Sequence, residues 1–163
     1  MWDDIRVGYG YDAHRLKGGR KCVLCGVEVP SDFGPDGFSD ADVPLHALID
    51  ALLGALALGD IGAVFPDSDE RWRGASSLEM LKTVCEMVRA HGYRLGNADI
   101  TIVLEAPRLS PFIGQMRAAV AAALGPDVGR VSVKATTEEK MGFTGDGTGI
   151  AAAAVVLLVK SQA

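Results

Sequence analysis

Apolar residues at every second position open the chain. Ile5, Val7, Tyr9 and Tyr11 alternate with Arg6, Gly8, Gly10 and Asp12, the period of a half-buried strand. The same period carries Asp12 and His14 onto one face. Residues 16–20, LKGGR, turn the chain, 22–29 predict a second strand, and a loop rich in Gly, Pro and Asp covers 30–37. Over 43–58 the pattern changes to a run of mostly Ala and Leu. It predicts one helix, with Asp42 as N-cap, Pro44 in the first turn and Gly59 as the stop. Two polar residues interrupt its oily surface, His46 and Asp50, four apart and so on one side. Ser76, Ser77, Leu78 and Glu79 have capping-box spacing, and Leu78, Leu81, Val84, Cys85 and Val88 keep helical spacing up to Gly92.

The second half alternates more often. Residues 99–104 predict a buried strand, Ser110 and Pro111 open a third helix that runs to Gly125, and 130–136 form a strand with Val131, Val133 and Ala135 facing inward. After the Gly-rich MGFTGDGTG, residues 150–160 close the chain as a strand. The order β, β, α, α, β, α, β, β favours an α+β fold in which three helices pack on one face of a mixed sheet. The last strand, AAAAVVLLV, is apolar on both faces, so something covers the second face. A homo-oligomer with facing sheets is the simplest candidate, and a two-sided core explains it almost as well.

Composition narrows the class. The chain has 163 residues, 48% of them hydrophobic, and a net charge of −5, which fits one globular domain and argues against a nucleic-acid partner. No apolar run is long enough to span a bilayer as a helix, and MWDDIR resembles neither a signal nor a transit peptide, so a cytoplasmic protein without a membrane partner is expected. Three cysteines give no even disulfide framework. Cys22 and Cys25 form C-x-x-C on a strand-like stretch, where residues three apart point to opposite faces, which disfavours a redox or zinc role. Cys85 reads as a small core hydrophobe, and His91 as a cation suited to a helix end.

Asp12, His14 and His46 are the sharpest constellation. A carboxylate with two imidazoles, two from a strand and one from a helix, can form the open ligand set of a catalytic zinc or, as an alternative, a non-haem iron centre. Asp50 could orient a ligating imidazole or pair with a cation. Asp60, Asp67 and Asp69 could bind a divalent metal or ribose hydroxyls, or stand solvated. Thr136, Thr137 and Glu139, where a strand opens into a Gly-rich loop, suit phosphate oxygens and Mg2+. Gly142 and Gly147 have the spacing of a phosphate-binding lysine loop, but Thr148 occupies the lysine position.

Three blocks, GYGYDAHRL, SDADVPLHALIDALLGALALGDIGAVFPDSD and VKATTEEKMGFTGDGTGIA, together resemble the 2-C-methyl-D-erythritol 2,4-cyclodiphosphate synthase family over essentially the whole chain. The resemblance implies a single domain spanning 1–163 and a metal-assisted cyclisation of 4-diphosphocytidyl-2-C-methyl-D-erythritol 2-phosphate with release of CMP, a phosphorus–oxygen lyase reaction. It implies Zn2+ on Asp12, His14 and His46, and Mg2+ or Mn2+ on Glu139. Substrate contacts are implied for Phe38, Ser39, Asp60, Gly62, Phe65, Asp67 and Asp69. The cytosine pocket is implied at Leu104, Ala106, Pro107, Arg108 and Leu109, diphosphate contacts at Thr136 and Thr137, with Thr137 in the catalytic role, and an apolar axial cavity at Phe143. It also implies a homotrimer with active sites between subunits, which would cover the last strand. Two positions depart from the family pattern: Phe38 stands where a histidine is usual, and Asp146 where many members carry arginine. A nucleotide- or metal-binding trimer without turnover is the non-enzymatic alternative.

Overall fold

The computed structural model describes residues 4–125 and 127–161. A five-stranded mixed sheet has the order β4–β1–β7–β5–β6. Its strands are β1 (Ile5–Gly18), β4 (Phe33–Pro35), β5 (Tyr93–Val103), β6 (Val131–Thr136) and β7 (Gly149–Lys160), and a separate hairpin joins β2 (Cys22–Leu24) to β3 (Val27–Val29). Among the described strands of this sheet only the β5–β6 pair is parallel. Three long helices, α1 (Val43–Ala55), α3 (Ser77–Ala90) and α4 (Ile113–Leu124), join two single turns, α2 (Ile61–Val64) and α5 (Gly142–Gly145). The expected α+β class and mixed sheet are present.

The contact that organises the layers is between α1 and β1. Gly8 and Gly10 face the helix, and a Cβ on them would stand 1.8 Å from the Ala51 carbonyl oxygen and 1.9 Å from that of Ala47. Backbone therefore touches backbone. Beyond the two glycines, toward the start of α1, the same face of β1 presents Asp12 and His14. The helix is buried nearly all round, with Leu45, Leu48, Ile49, Leu52 and Leu53 in the core, as expected of a helix apolar on every side.

Several sequence expectations are corrected. The apolar side of β1 faces outward: Val7 is 64% and Tyr9 63% exposed. The period was right, but it is the glycines that pack, because only a residue without a side chain admits the helix so closely. Residues 22–29 are a hairpin rather than one strand, since Cys25 and Gly26 both adopt positive φ (51° and 74°), the requirement of a tight hairpin turn. Cys22 and Cys25 are consequently both buried thiols in the core. Helix α1 ends at Ala55 rather than 58, where Leu56 N–H turns back to the Leu53 carbonyl. The third helix begins at Ile113, after a turn closed by Phe112 N–H to the Leu109 carbonyl. Ala135 is exposed where β6 leaves the core. Ser76 makes no side-chain cap on α3, and Glu79 pairs with Lys82 instead of reaching back.

Candidate metal centre and nucleotide groove

Asp42 fixes the start of α1. It is fully buried, and its carboxylate accepts from Cys25 N–H (2.8 Å), Gly26 N–H (2.7 Å) and Leu45 N–H (3.2 Å). One side chain thus caps the helix and holds the β2–β3 turn against it. His46, one turn into α1, faces β1. Its Nδ1 lies 3.0 Å from Asp12 Oδ2, and its Nε2 lies 2.9 Å from Ser77 Oγ and 3.2 Å from Ser39 Oγ.

His14 supplies the third donor. Its Nδ1 is buried and 3.0 Å from the same Asp12 Oδ2, but it is not aligned for a hydrogen bond and has no other partner among the described residues. Its ring edge is held by Gly37, where a Cβ would approach Nε2 and Cδ2 to 2.9 Å. The donor atoms of Asp12, His14 and His46 all lie within 4.8 Å of one another. Two imidazole nitrogens converging at 3.0 Å on one carboxylate oxygen match the separation of about 3.3 Å between neighbouring ligands of a tetrahedral ion with bonds of about 2.0–2.1 Å. An orphaned buried nitrogen in that set fits a cation between the three groups.

The charges agree. Burial would raise the Asp12 carboxyl, but the two imidazoles outweigh it and hold it well below the usual carboxylate range. Burial would lower His46, and Asp12, with Asp42 and Asp40 behind it, lifts it above its ordinary value. Surroundings that lower Asp12 and raise His46 favour positive charge between them, as a divalent ion would supply.

The triad forms the floor of a cavity of about 360 Å3. Phe38, Ser39, Gly62, Phe65 and Asp67 line it, as does Trp72, whose ring meets Phe65 edge-on at 4.9 Å. Arg20 holds the 35–39 loop by bonds to the carbonyls of Pro35, Gly37 and Ser39. Asp50 takes Ile61 N–H at 2.7 Å, anchoring α2 to α1. Asp60 caps α2, and Asp69 caps the next turn while pairing with Arg71; neither lines the cavity. Pro66 lines it too, as do Ile61, Trp72 and Met80, which no spacing marks in the sequence; Asp40 and Ser77 stand behind His46, outside the lining.

A second cavity, of about 500 Å3, lies elsewhere on the chain, walled by Leu104, Pro107, Arg108, Leu109, Thr136 and Thr137. Ala106 precedes Pro107 through a cis peptide in the same loop. Glu139 stands near it, exposed, with Oε1 3.3 Å from Thr137 Oγ1 and an unusual φ of 52°. The two cavities share no wall residue among those described. Phe143 belongs to neither and lies with His14, Thr148 and Gly149 at a third hollow.

The chain is thus an α+β domain with a potential metal site, a carboxylate and two imidazoles in an open cavity, and a separate groove of apolar residues and hydroxyls. A family model described as the YgbB family matches residues 5–159. The chain belongs to that family, that of the 2-C-methyl-D-erythritol 2,4-cyclodiphosphate synthases. A synthase of that name from Moorella thermoacetica is 57% identical over 98% of this chain and 98% of its own, and one from Vibrio cholerae serotype O1 is 54% identical over 96% and 99%. A solved 2C-methyl-D-erythritol-2,4-cyclodiphosphate synthase, described as a bound form with CDP, superposes with a TM-score of 0.87 at 39% identity, covering 94% of this chain and 99% of its own.

Proposed function

We propose that the protein converts 4-diphosphocytidyl-2-C-methyl-D-erythritol 2-phosphate to 2-C-methyl-D-erythritol 2,4-cyclodiphosphate and CMP. The observation that carries the mechanism is the convergence of Asp12, His14 and His46 on one point in an open cavity, within a chain of this family. Zn2+ on these three residues, and Mg2+ or Mn2+ on Glu139, would supply Lewis acidity and positive charge beside the phosphates.

The reaction is intramolecular. An oxygen of the substrate's 2-phosphate bonds to the β-phosphorus, the bond from that phosphorus to the bridging oxygen breaks, and CMP leaves. A phosphate monoester with a second pKa of about 6 is already largely ionised at neutral pH, so no side chain has to generate the nucleophile. The chain's work is positioning. Apolar Ile61, Phe65 and Trp72 suit the carbon skeleton of the tetrol, while Ser39, Asp67 and Asp69 suit its hydroxyls and phosphate. Leu104, Ala106, Pro107 and Leu109 suit a planar base, Asp60 and Gly62 suit the ribose, and Arg108, Thr136 and Thr137 suit the diphosphate. Phe38 offers only apolar surface and is stacked under Arg73 at 4.5 Å.

One chain holds the two halves of this site in separate cavities, which supports a homotrimer in which the nucleotide groove of one subunit completes the metal cavity of the next. The outward side of β1 and β7, with Val7, Tyr9, Tyr11 and Val155 exposed, supplies the apolar surface such an assembly buries, sheet against sheet. The test is CMP release from the named substrate by wild type and His46→Ala. Release by wild type, reduced by at least about 100-fold in the variant, supports the assignment; equal rates would remove the triad's role, and no release by wild type would overturn the function.

A further inference from the structure

Behind His46, on the side away from Asp12, stands a buried hydrogen-bond chain. Ser77 is fully buried at the first residue of α3. Its Oγ donates to Asp40 Oδ1, and its N–H donates to Asp40 Oδ2 at 3.0 Å. Asp40 Oδ1 also accepts Asp42 N–H at 3.2 Å, so both carboxylate oxygens face donors and Asp40 acts as acceptor. A serine hydroxyl has one proton, and here Asp40 takes it. Ser77 can then present only a lone pair to His46 Nε2, 2.9 Å away. Ser39 Oγ, which accepts Ala41 N–H at 3.1 Å, keeps its own proton free and does not choose between tautomers.

We propose that Asp40 and Ser77 are positioning residues that lock His46 in its Nε2–H tautomer and so turn the bare Nδ1 lone pair toward the metal shared with Asp12 and His14. The proposal rests on reading the triad as a metal centre. A neutral imidazole carries one ring proton; with Nε2–H donated to Ser77, none remains to block Nδ1. A ligating histidine is commonly held in this way by an acceptor on its far nitrogen, and removal of such an acceptor weakens metal binding by about 10–100-fold. The relay also ties the metal centre to the start of α3, since the carboxylate that commits the Ser77 hydroxyl is the one that takes its backbone N–H.

Ser77→Ala separates these duties, because it deletes the hydroxyl and keeps the backbone N–H on Asp40. Zn2+ binding to wild type, Ser77→Ala and Asp40→Asn is measured by competition with a chromophoric chelator. Thermal unfolding of the chelated proteins is followed in parallel, and long-range 1H–15N spectra report the His46 tautomer. Expected are a Zn2+ dissociation constant raised about 10–100-fold in Ser77→Ala, melting of the chelated variant within a few degrees of wild type, and, in the metal-free proteins, a His46 Nε2–H that is present in wild type and lost from a fraction of the Ser77→Ala molecules, which keep the proton on Nδ1 facing Asp12. Asp40→Asn shifts the tautomer in the same direction. Wild type that binds Zn2+ while Ser77→Ala matches it in affinity and spectrum overturns the relay and leaves the metal centre standing. Loss of affinity with a matching collapse of the chelated fold assigns the pair to packing and also overturns it. Failure of wild type to bind Zn2+ overturns the metal reading, and the relay with it.

Discussion

Buried polar residues divide here by what their partners demand. Asp42 meets three N–H donors, so an amide in its place turns an NH2 group toward one of them and strands that donor. Asp42→Asn is expected to lower stability by about 1–3 kcal/mol, the cost of one unsatisfied buried donor, read from the urea midpoint at unchanged slope. The cysteines are the apolar counterpart. Burial, with the Asp42 charge adding to it at Cys22, pushes the Cys22 thiol up to about 11, and burial does the same at Cys85; Cys25 is raised as well. Raised acids stay protonated until the pH nears the shifted value, so the native thiols should be silent to a thiol-exchange reagent at pH 8 and all three should react in denaturant. A native pair reacting quickly at pH 8 would revive the redox reading of C-x-x-C.

At the scale of elements, the α1–β1 contact sets the position of His46 relative to Asp12 and His14. Gly10→Ala must push α1 off the strand, since its Cβ falls 1.9 Å from a carbonyl oxygen; overpacking of this kind costs about 1–3 kcal/mol or more. The expected result is a lower melting temperature together with weaker Zn2+ binding. Gly18→Ala on the same strand, whose Cβ meets nothing within 4 Å, should change neither. Equal metal affinity in both variants would show that the triad does not depend on this contact. Much of this geometry was legible in the chain. The strand period put Asp12 and His14 on one face, and Pro44 after Asp42 marked the start of α1. The buried side of β1 was not legible, because a helix seated on glycine leaves no apolar signal and the apolar residues point the other way. Asp40 and Ser77 were missed for a related reason: each acts through a neighbour brought close by the fold, and a capping-box spacing gave Ser76 a task that Asp40 performs.

For the whole molecule, the exposed apolar side of the sheet and the proposed sharing of one site between two separate cavities lead to one expectation. Sedimentation should give a mass three times the chain's 17.1 kDa. Tyr11→Glu, which places a charge on that surface, should shift the mass toward one chain and abolish CMP release while leaving the secondary structure intact. Full activity from a single-chain species would overturn the shared-site reading. Among the described residues no helix is long and apolar enough to cross a membrane, so this apolar surface is not part of a spanning helix.

The bare seam between α1 and β1 has a consequence for tolerance to change. A layer of side chains between two elements acts as a cushion: it can rotate, creep and take up an error of a few tenths of an ångström introduced elsewhere in the core. Peptide resting on peptide has no such give. The spacing of the three donors is then set by a rigid stop rather than by the average of many soft contacts, so drift in the Leu and Ile sequence of the core should leave that spacing unchanged for as long as the two glycines remain.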